Sequence, residues 1–353
     1  MKHSPLESRH IALGAKMADF GGWQMPIEYP NGGVLAEHQA VRDEVGIFDV
    51  SHLGKIWIIG SGALEFVNSI VTNDLNRISD GQAQYSLLCN EAGGVIDDLI
   101  IYRFNKDEIF IIPNAANCAT VFETLQAEAP EHLQLENAHE KYAVIAVQGP
   151  KSKATLESFG IKLDLEYMSH GRYVINGEEL IICRTGYTGE HGYEILPTSE
   201  NSLAIWDALA SKNVQICGLG SRDTLRTEMG YPLHGQDLSP TISPVTAGSS
   251  WAVGFDKPTF HGADALRIEK ADGSKQKLRG LKLLDRGIPR AHMKVIGAGE
   301  ITSGTFSPTL KIGIGLALID SKYGIGDQVK IDIRGKETAA EIVRLPFVES
   351  HVK

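Results

Sequence analysis

The stretch Gly93-Gly94-Val95-Ile96-Asp97-Asp98-Leu99-Ile100 places two adjacent carboxylates in an otherwise apolar run. A second apolar run, Tyr85–Cys89, comes before it, and the residues between the two runs are of turn-forming types. This pattern predicts a β-hairpin. Because successive side chains of a strand point to opposite faces, we expect Asp97 and Asp98 on different faces.

The pair of carboxylates has two interpretations. Burial of an unpartnered carboxylate destabilises the folded state by several kcal/mol, so each buried carboxylate needs a partner. One interpretation is that the pair binds amides of the turn. The other is that a carboxylate is held for work on a positively charged or proton-bearing substrate atom. The residues of the hairpin leave both open.

The rest of the chain alternates between helical and strand patterns, which predicts an α+β class. Apolar residues at helical spacing predict a helix within 32–46. Tyr173–Ile175 and Glu179–Cys183 are joined by Asn176-Gly177, a strong hairpin signal. After about residue 240, short β-type runs with Gly and Pro between them predict a separate small barrel or sandwich.

Composition excludes several classes of protein. The chain has 353 residues and a formal net charge of -10, with no run of basic residues, so nucleic acid is not expected as a partner. Its four cysteines form no C-x-x-C pair, which argues against a metal site or a disulfide scaffold. Neither a signal peptide nor an apolar segment of about 20 residues is present, so we expect no membrane contact and a cytoplasmic location.

Three further clusters could contribute to a site. Arg184–Glu194 contains three closely spaced glycines and ends with Glu194 in an apolar strand, an unusual place for a solvated charge. Gly218–Arg226 places Arg222 near a helix start, where it is either a site residue or one half of a surface ion pair. Thr302–Thr309 is rich in hydroxyls and is either part of a site or an ordinary loop.

Taken together, these clusters resemble the aminomethyltransferase family, which includes the T-protein of the glycine cleavage system. The matching stretches follow the family order along the whole chain: Asp19–Pro26, Phe48–His52, Thr72–Asp74, Gly93–Leu99, Asn114–Asn117, Val147–Pro150, Arg184–Glu194, Gly218–Leu225 and Thr302–Leu310.

The resemblance implies three domains arranged as a cloverleaf around a central folate cavity. Residues 1–50 together with 140–240 are expected to form a first α+β domain. Residues 51–139, with Asp98, are expected to form a second. A connecting segment at 241–274 then leads to a small β-barrel at 275–353.

The resemblance also implies a reaction. The family transfers an aminomethyl group from the lipoyl arm of a carrier, the H-protein, to tetrahydrofolate. The products are ammonia, methylenetetrahydrofolate and the reduced carrier. Tetrahydrofolate is thus the one-carbon acceptor, and no metal is expected.

Carried over residue by residue, the resemblance places the catalytic carboxylate at Asp98, which would stabilise the cationic iminium as ammonia leaves. The carboxylate that holds the pterin falls on Glu194. Other folate-contacting positions fall on Tyr85, Asn114, Tyr167, Tyr187 and Arg222.

Three departures and two alternatives accompany the resemblance. Leu53 replaces a common Met, and Lys311 replaces the Gly that usually follows the Ser-Pro-Thr-Leu run. Val348 and Glu349 follow Pro346-Phe347 where the family often has aromatic and basic residues. The alternatives on the same fold are a folate-dependent demethylase and a folate-binding iron–sulfur assembly factor. The Cys-containing motif of the assembly factor is absent from the sequence.

Overall fold

The computed structural model describes residues 1–175 and 177–353. Its strands, numbered along the chain, are β1 (Lys2–His3), β2 (Lys16–Phe20), β3 (Trp23–Glu28), β4 (Gly46–Asp49), β5 (Ile56–Ile59), β6 (Gln82–Cys89), β7 (Val95–Asn105), β8 (Glu108–Ile112), β9 (Gln134–Asn137), β10 (Ile145–Gln148), β11 (His170–Ile175), β12 (Glu178–Cys183), β13 (Gly192–Leu196), β14 (Gln215–Cys217), β15 (Gln276–Leu283), β16 (Lys294–Val295), β17 (Gly299–Ser307), β18 (Ile312–Asp320), β19 (Gln328–Ile333) and β20 (Lys336–Val343). Its α-helices are α1 (Glu7–Ala12), α2 (Gly33–Asp43), α3 (Ala63–Ile70), α4 (Cys118–Glu128), α5 (Ser152–Glu157), α6 (Ser202–Ala210), α7 (Leu219–Glu228) and α8 (Ala263–Asp272).

Strands β6 and β7 form the predicted hairpin, and β7 carries Asp97 and Asp98. The hairpin begins an antiparallel sheet of order β6-β7-β8-β5-β9. Gly93 has a φ of 83°, the left-handed region that glycine reaches without strain. At Gly94 a Cβ atom would lie 1.9 Å from the carbonyl oxygen of Pro240, so only glycine fits there. The turn therefore brings the segment around residue 240 against the base of the hairpin.

A second sheet has the order β11-β12-β13-β10-β4-β14 and contains Glu194 on β13. Its strand β4 precedes the first sheet in the chain, and its other strands follow that sheet, so the two sheets are interleaved in sequence. β11 and β12 pair from His170↔Cys183 to Ile175↔Glu178. Asn176, the first residue of the predicted Asn176-Gly177 turn, lies outside the described residues.

The third unit is a closed barrel of order β15-β18-β17-β16-β19-β20. Its interior is apolar, with Leu281, Ile301 and Ile331 fully buried. The barrel of the predicted fold class is therefore confirmed. The loop interpretation of Thr302–Thr309 is wrong, because β17 takes up most of that stretch and pairs with β18.

The two sheets share a hydrophobic core. Phe48 and Ala146 from the second sheet pack with Trp57, Tyr102 and Phe110 from the first. The segment 241–274 adds a smaller cluster that also includes residues of β6 and β7. The domain bounds given above stay predictions. Residues of both sheets and of the barrel nevertheless line one central space.

Candidate active site

A cavity of about 940 Å³ lies between the two sheets, α7 and the end of the barrel. All of the site residues predicted from the sequence line it: Tyr85, Asp98, Asn114, Tyr167, Tyr187, Glu194 and Arg222. They come from separate parts of the chain, so the fold is what brings them together. A cavity of this size accommodates a drug-sized ligand.

Asp98 faces this cavity from β7. The phenol of Tyr85, on the neighbouring strand β6, donates a hydrogen bond of 3.1 Å to Asp98 Oδ2. The side-chain amide of Asn114 lies 2.9 Å from Asp98 Oδ1. Burial raises the pKa of Asp98, and the two hydrogen bonds oppose that effect in part. No described residue forms a salt bridge with Asp98, so the carboxylate is available to a cationic ligand atom.

Asp97 is fully buried and serves a different purpose. Its Oδ2 accepts a hydrogen bond from the backbone N–H of Asn114 at 2.9 Å. Its Oδ1 accepts from the side-chain amides of Asn114 at 2.9 Å and Asn117 at 2.6 Å. Burial and the neighbouring charge of Asp98 raise the pKa of Asp97. The interpretation that the pair binds amides of the hairpin turn is thus wrong: Asp97 accepts from amides of the segment that follows β8. Asp98, in contrast, faces the cavity.

Asn117 extends this network to His234. Its amide lies 2.9 Å from His234 Nδ1, and the other ring nitrogen, Nε2, lies 3.0 Å from the carbonyl oxygen of Val95. Both ring nitrogens of His234 thus have a polar partner. The base of the hairpin is therefore fixed from both sides.

Glu194 lies deep in the cavity, with only 7% of the residue exposed. The hydroxyl of Thr185 donates a hydrogen bond of 2.5 Å to Glu194 Oε2. Within the described part of the chain no group donates to the other carboxylate oxygen, Oε1. A buried carboxylate in this state can accept hydrogen bonds from the N–H groups of a ligand.

The stacked rings of Tyr187 and Tyr231 form an aromatic surface beside Arg222. The guanidinium carbon lies 5.0 Å from the ring centroid of Tyr187, within cation–π range. Tyr187 stacks on Tyr231 at 5.7 Å, and its phenol donates to the carbonyl oxygen of Pro232. Arg222 Nη1 is buried and has no hydrogen-bond partner among residues 1–175 and 177–353. This nitrogen is free to bind a ligand acceptor.

Comparison with known proteins identifies the family. The GCVT N-terminal domain matches residues 6–257, and the glycine cleavage T-protein C-terminal barrel domain matches residues 276–349. The chain belongs to the aminomethyltransferase family of the glycine cleavage system.

Named relatives cover nearly the whole chain. An aminomethyltransferase of Parafrankia sp. is 54% identical, covering 99% of this chain and 98% of the relative. One from Mycobacterium avium is 53% identical, covering 98% and 96%. The crystal structure of glycine cleavage system aminomethyltransferase T from Bartonella henselae superposes with a TM-score of 0.93 at 33% identity, covering 99% of both chains.

For this aminomethyltransferase-family chain, the sequence left one cavity residue, Trp251, and one residue of the network behind Asp98, Asn117, unassigned. Asn117 lay inside a family stretch, but nothing in its type or spacing distinguished it from Asn114. Trp251, 68% exposed, stacks on Tyr85 at 5.2 Å, yet it follows two serines and belongs to no motif.

Among the described helices, none combines the length and apolar character needed to cross a bilayer.

Proposed function

We propose that this chain transfers the aminomethyl unit of a lipoyl-bearing H-protein to tetrahydrofolate, releasing ammonia and forming methylenetetrahydrofolate. The observation that supports this proposal best is the placement of Asp98 and Glu194 on one cavity with tyrosine walls. Family membership supplies the reaction class, and the cavity residues suggest how the substrate is held.

Glu194 is the group that would hold the pterin. A pterin is flat and carries an amino group beside a ring N–H, and a carboxylate can accept both hydrogen bonds in parallel. Thr185 fixes one carboxylate oxygen and leaves the other free of described donors. The rings of Tyr85 and Tyr187 provide flat apolar surfaces on the same cavity.

Asp98 is the group that would act in the chemical step. As ammonia departs, positive charge develops on the methylene carbon that is transferred and on the folate nitrogen that takes it up. A fixed carboxylate in a cavity of low polarity stabilises such charge, and a comparable fixed group contributes about 3–4 kcal/mol in enzymes. Hydrogen bonds from Tyr85 and Asn114 hold Asp98 in one orientation, so little reorganisation accompanies the step.

The test is tetrahydrofolate-dependent release of ammonia from an aminomethylated lipoyl carrier, run beside dimethylglycine and sarcosine as alternative methyl donors. We expect turnover with the carrier alone, and its loss when tetrahydrofolate is omitted. Turnover with a free methylated amine and none with the carrier would instead establish a folate-dependent demethylase. Binding of folate without turnover of any donor would favour a non-enzymatic role.

A further inference from the structure

Residues 347–353 follow the barrel and form a strap over the loop 186–190, which lies between β12 and β13. The backbone N–H of His351 donates to the carbonyl oxygen of Gly189 at 2.7 Å. Nδ1 of the His351 ring lies 3.1 Å from Oε2 of Glu190, and because a carboxylate only accepts, the ring donates this hydrogen bond. One residue of the strap therefore binds the loop through both its backbone and its side chain.

Glu190 is also bound from its other side, by Arg42. Nη1 of Arg42 donates to Oε1 of Glu190 and to the carbonyl oxygen of Thr188, each at 2.8 Å. Nη2 of Arg42 donates to Oε2 of Glu228 at 2.6 Å. Acidic and basic side chains therefore alternate from α7 to the strap, in the order Glu228, Arg42, Glu190 and His351. The side chain of His351 is 56% exposed, so it is the end of this series that faces solvent.

The loop that these contacts hold also carries part of the cavity wall. Tyr187 lines the cavity, and the carbonyl oxygen of the next residue, Thr188, binds Arg42. Gly189 has a φ of 82°, and a Cβ atom there would lie 2.2 Å from the sulfur of Met229, which lines the cavity as well. The loop is thus packed closely on the cavity, and a shift of its backbone would move the ring of Tyr187.

His351 and Glu190 themselves stand outside the cavity. Neither belongs to the described residues that line it. Their effect on a bound ligand must therefore pass through the loop 186–190 and the ring of Tyr187.

We propose that His351 is a positioning residue for the tetrahydrofolate site. Its contacts with Gly189 and Glu190 fix the loop, and the loop fixes Tyr187 against the ligand. This inference rests on the function proposed above. The strap contributes to the affinity for tetrahydrofolate and not to the rate of the chemical step, because Asp98 is held by a separate set of hydrogen bonds.

The experiment compares the wild-type full chain with His351→Ala and His351→Asn. The first variant removes the hydrogen bond from the ring to Glu190, whereas the second keeps an N–H donor close to the position of Nδ1. His292→Ala is the matched control, because the exposed ring of His292 also binds a carboxylate, Glu300 at 2.9 Å, away from the cavity lining.

Four quantities are measured for each protein: the dissociation constant of tetrahydrofolate, the Michaelis constants for tetrahydrofolate and for the aminomethylated carrier, kcat, and the amide hydrogen exchange of all segments. Thermal midpoints show that each variant is folded. If His351→Ala does not fold, His351→Leu, which keeps the bulk of the side chain without a donor, takes its place.

We expect His351→Ala to bind tetrahydrofolate about threefold to fivefold more weakly, the upper range for a single contact at a partly exposed site. Its Michaelis constant for tetrahydrofolate should rise in parallel, whereas kcat and the Michaelis constant for the carrier should not change. Amide exchange should become faster in residues 184–194 and stay the same in the barrel. His351→Asn should recover most of the affinity, and His292→Ala should match wild type.

Equal tetrahydrofolate affinities in wild type and His351→Ala would overturn the inference. A loss of affinity without faster exchange in the loop would also overturn it, because the effect would then not pass through the loop. If only the Michaelis constant for the carrier rose, the strap would belong to a docking surface, and the inference would be wrong. The proposed function fails by a different result, a wild type that neither binds tetrahydrofolate nor turns over the aminomethylated carrier.

Discussion

Asn114 Nδ2 lies 2.9 Å from Oδ1 of Asp98 and 2.9 Å from Oδ1 of Asp97, so one amide nitrogen links the two carboxylates. The carboxylate that faces the cavity is thus positioned by an amide that the buried carboxylate holds. Asp97 acts on Asp98 through Asn114 and does not itself line the cavity.

Asp97→Asn should mainly lower stability. The native carboxylate accepts three hydrogen bonds from N–H donors, and an amide in its place would direct its own N–H groups at one or more of them. Leaving buried donors unpaired costs about 1–3 kcal/mol, which urea denaturation would detect as a lower midpoint. Turnover of the folded fraction should fall less than in Asp98→Asn. Unchanged stability in Asp97→Asn would mean that the amide network is not what Asp97 supports.

Glu194→Ala should weaken the binding of tetrahydrofolate. Loss of a carboxylate that accepts two ligand hydrogen bonds corresponds to roughly 2–3 kcal/mol, or about 30–150-fold in the dissociation constant. Isothermal titration would measure this, with Glu179→Ala on β12 as a control carboxylate that does not line the cavity. Identical affinities in wild type and Glu194→Ala would remove Glu194 from the pterin site.

Glu228 gives the protein a specific sensitivity to acid. Although burial opposes its ionisation, hydrogen bonds from His38 and Ser307 and the charge of Arg42 lower the pKa of Glu228 to about 2. Because this pKa is depressed in the folded state, its contribution to stability is complete above the ordinary glutamate pKa and is lost as the pH falls towards 2. The contribution is about 3 kcal/mol.

Denaturation of wild type and Glu228→Gln between pH 7 and pH 2.5 would show this contribution. The free energies of unfolding should differ most at pH 7 and converge as the pH falls below about 4.5. If Glu228→Gln does not fold, Ser307→Ala, which removes one donor to the carboxylate, should show a smaller gap with the same trend. A difference that does not change with pH would show that Glu228 is not held as an anion.

The sequence predicted the site residues better than the contacts among them. Motif stretches located Asp98 and Glu194, because a carboxylate in an apolar strand is conspicuous in any sequence. The roles of Asp97, Asn117 and His234 depend on which side chains meet near the start of β7. These contacts join residues that are far apart in the chain, so no local sequence pattern predicts them. The pairing of β15 with β20, about 60 residues apart in the chain, likewise arises only when the barrel closes.

Arg286, Arg290 and Lys294 should help to bind the carrier. All three are exposed on the barrel, and none forms a salt bridge with another described residue. Since the chain as a whole carries a net charge of -10, an acidic carrier would need a local basic surface of this kind. Reversal of all three charges to Glu should raise the Michaelis constant for the carrier several-fold and reduce its salt dependence. Unchanged values at low and high salt would exclude this surface.

Asp98→Asn should abolish most of the turnover and leave folate binding almost intact. The substitution keeps the shape of the side chain and deletes the negative charge that faces the cavity. Loss of about 3–4 kcal/mol of transition-state stabilisation lowers the rate by about 100–1000-fold. Its thermal midpoint at pH 7 should fall less than that of Asp97→Asn, because the side chain of Asp98 accepts two hydrogen bonds and that of Asp97 accepts three.

The pH profile separates this role from a structural one. If the anion of Asp98 acts in the chemical step, the turnover of wild type must fall as the pH drops through its raised pKa, above the usual range of an aspartate. The residual turnover of Asp98→Asn should lack that acidic limb, whereas Asp97→Asn, which retains Asp98, should keep it. Single-turnover rates of the three proteins, over the whole pH range in which each stays folded, would measure this difference. If Asp98→Asn turned over as fast as wild type, Asp98 would only line the cavity and would have no catalytic role.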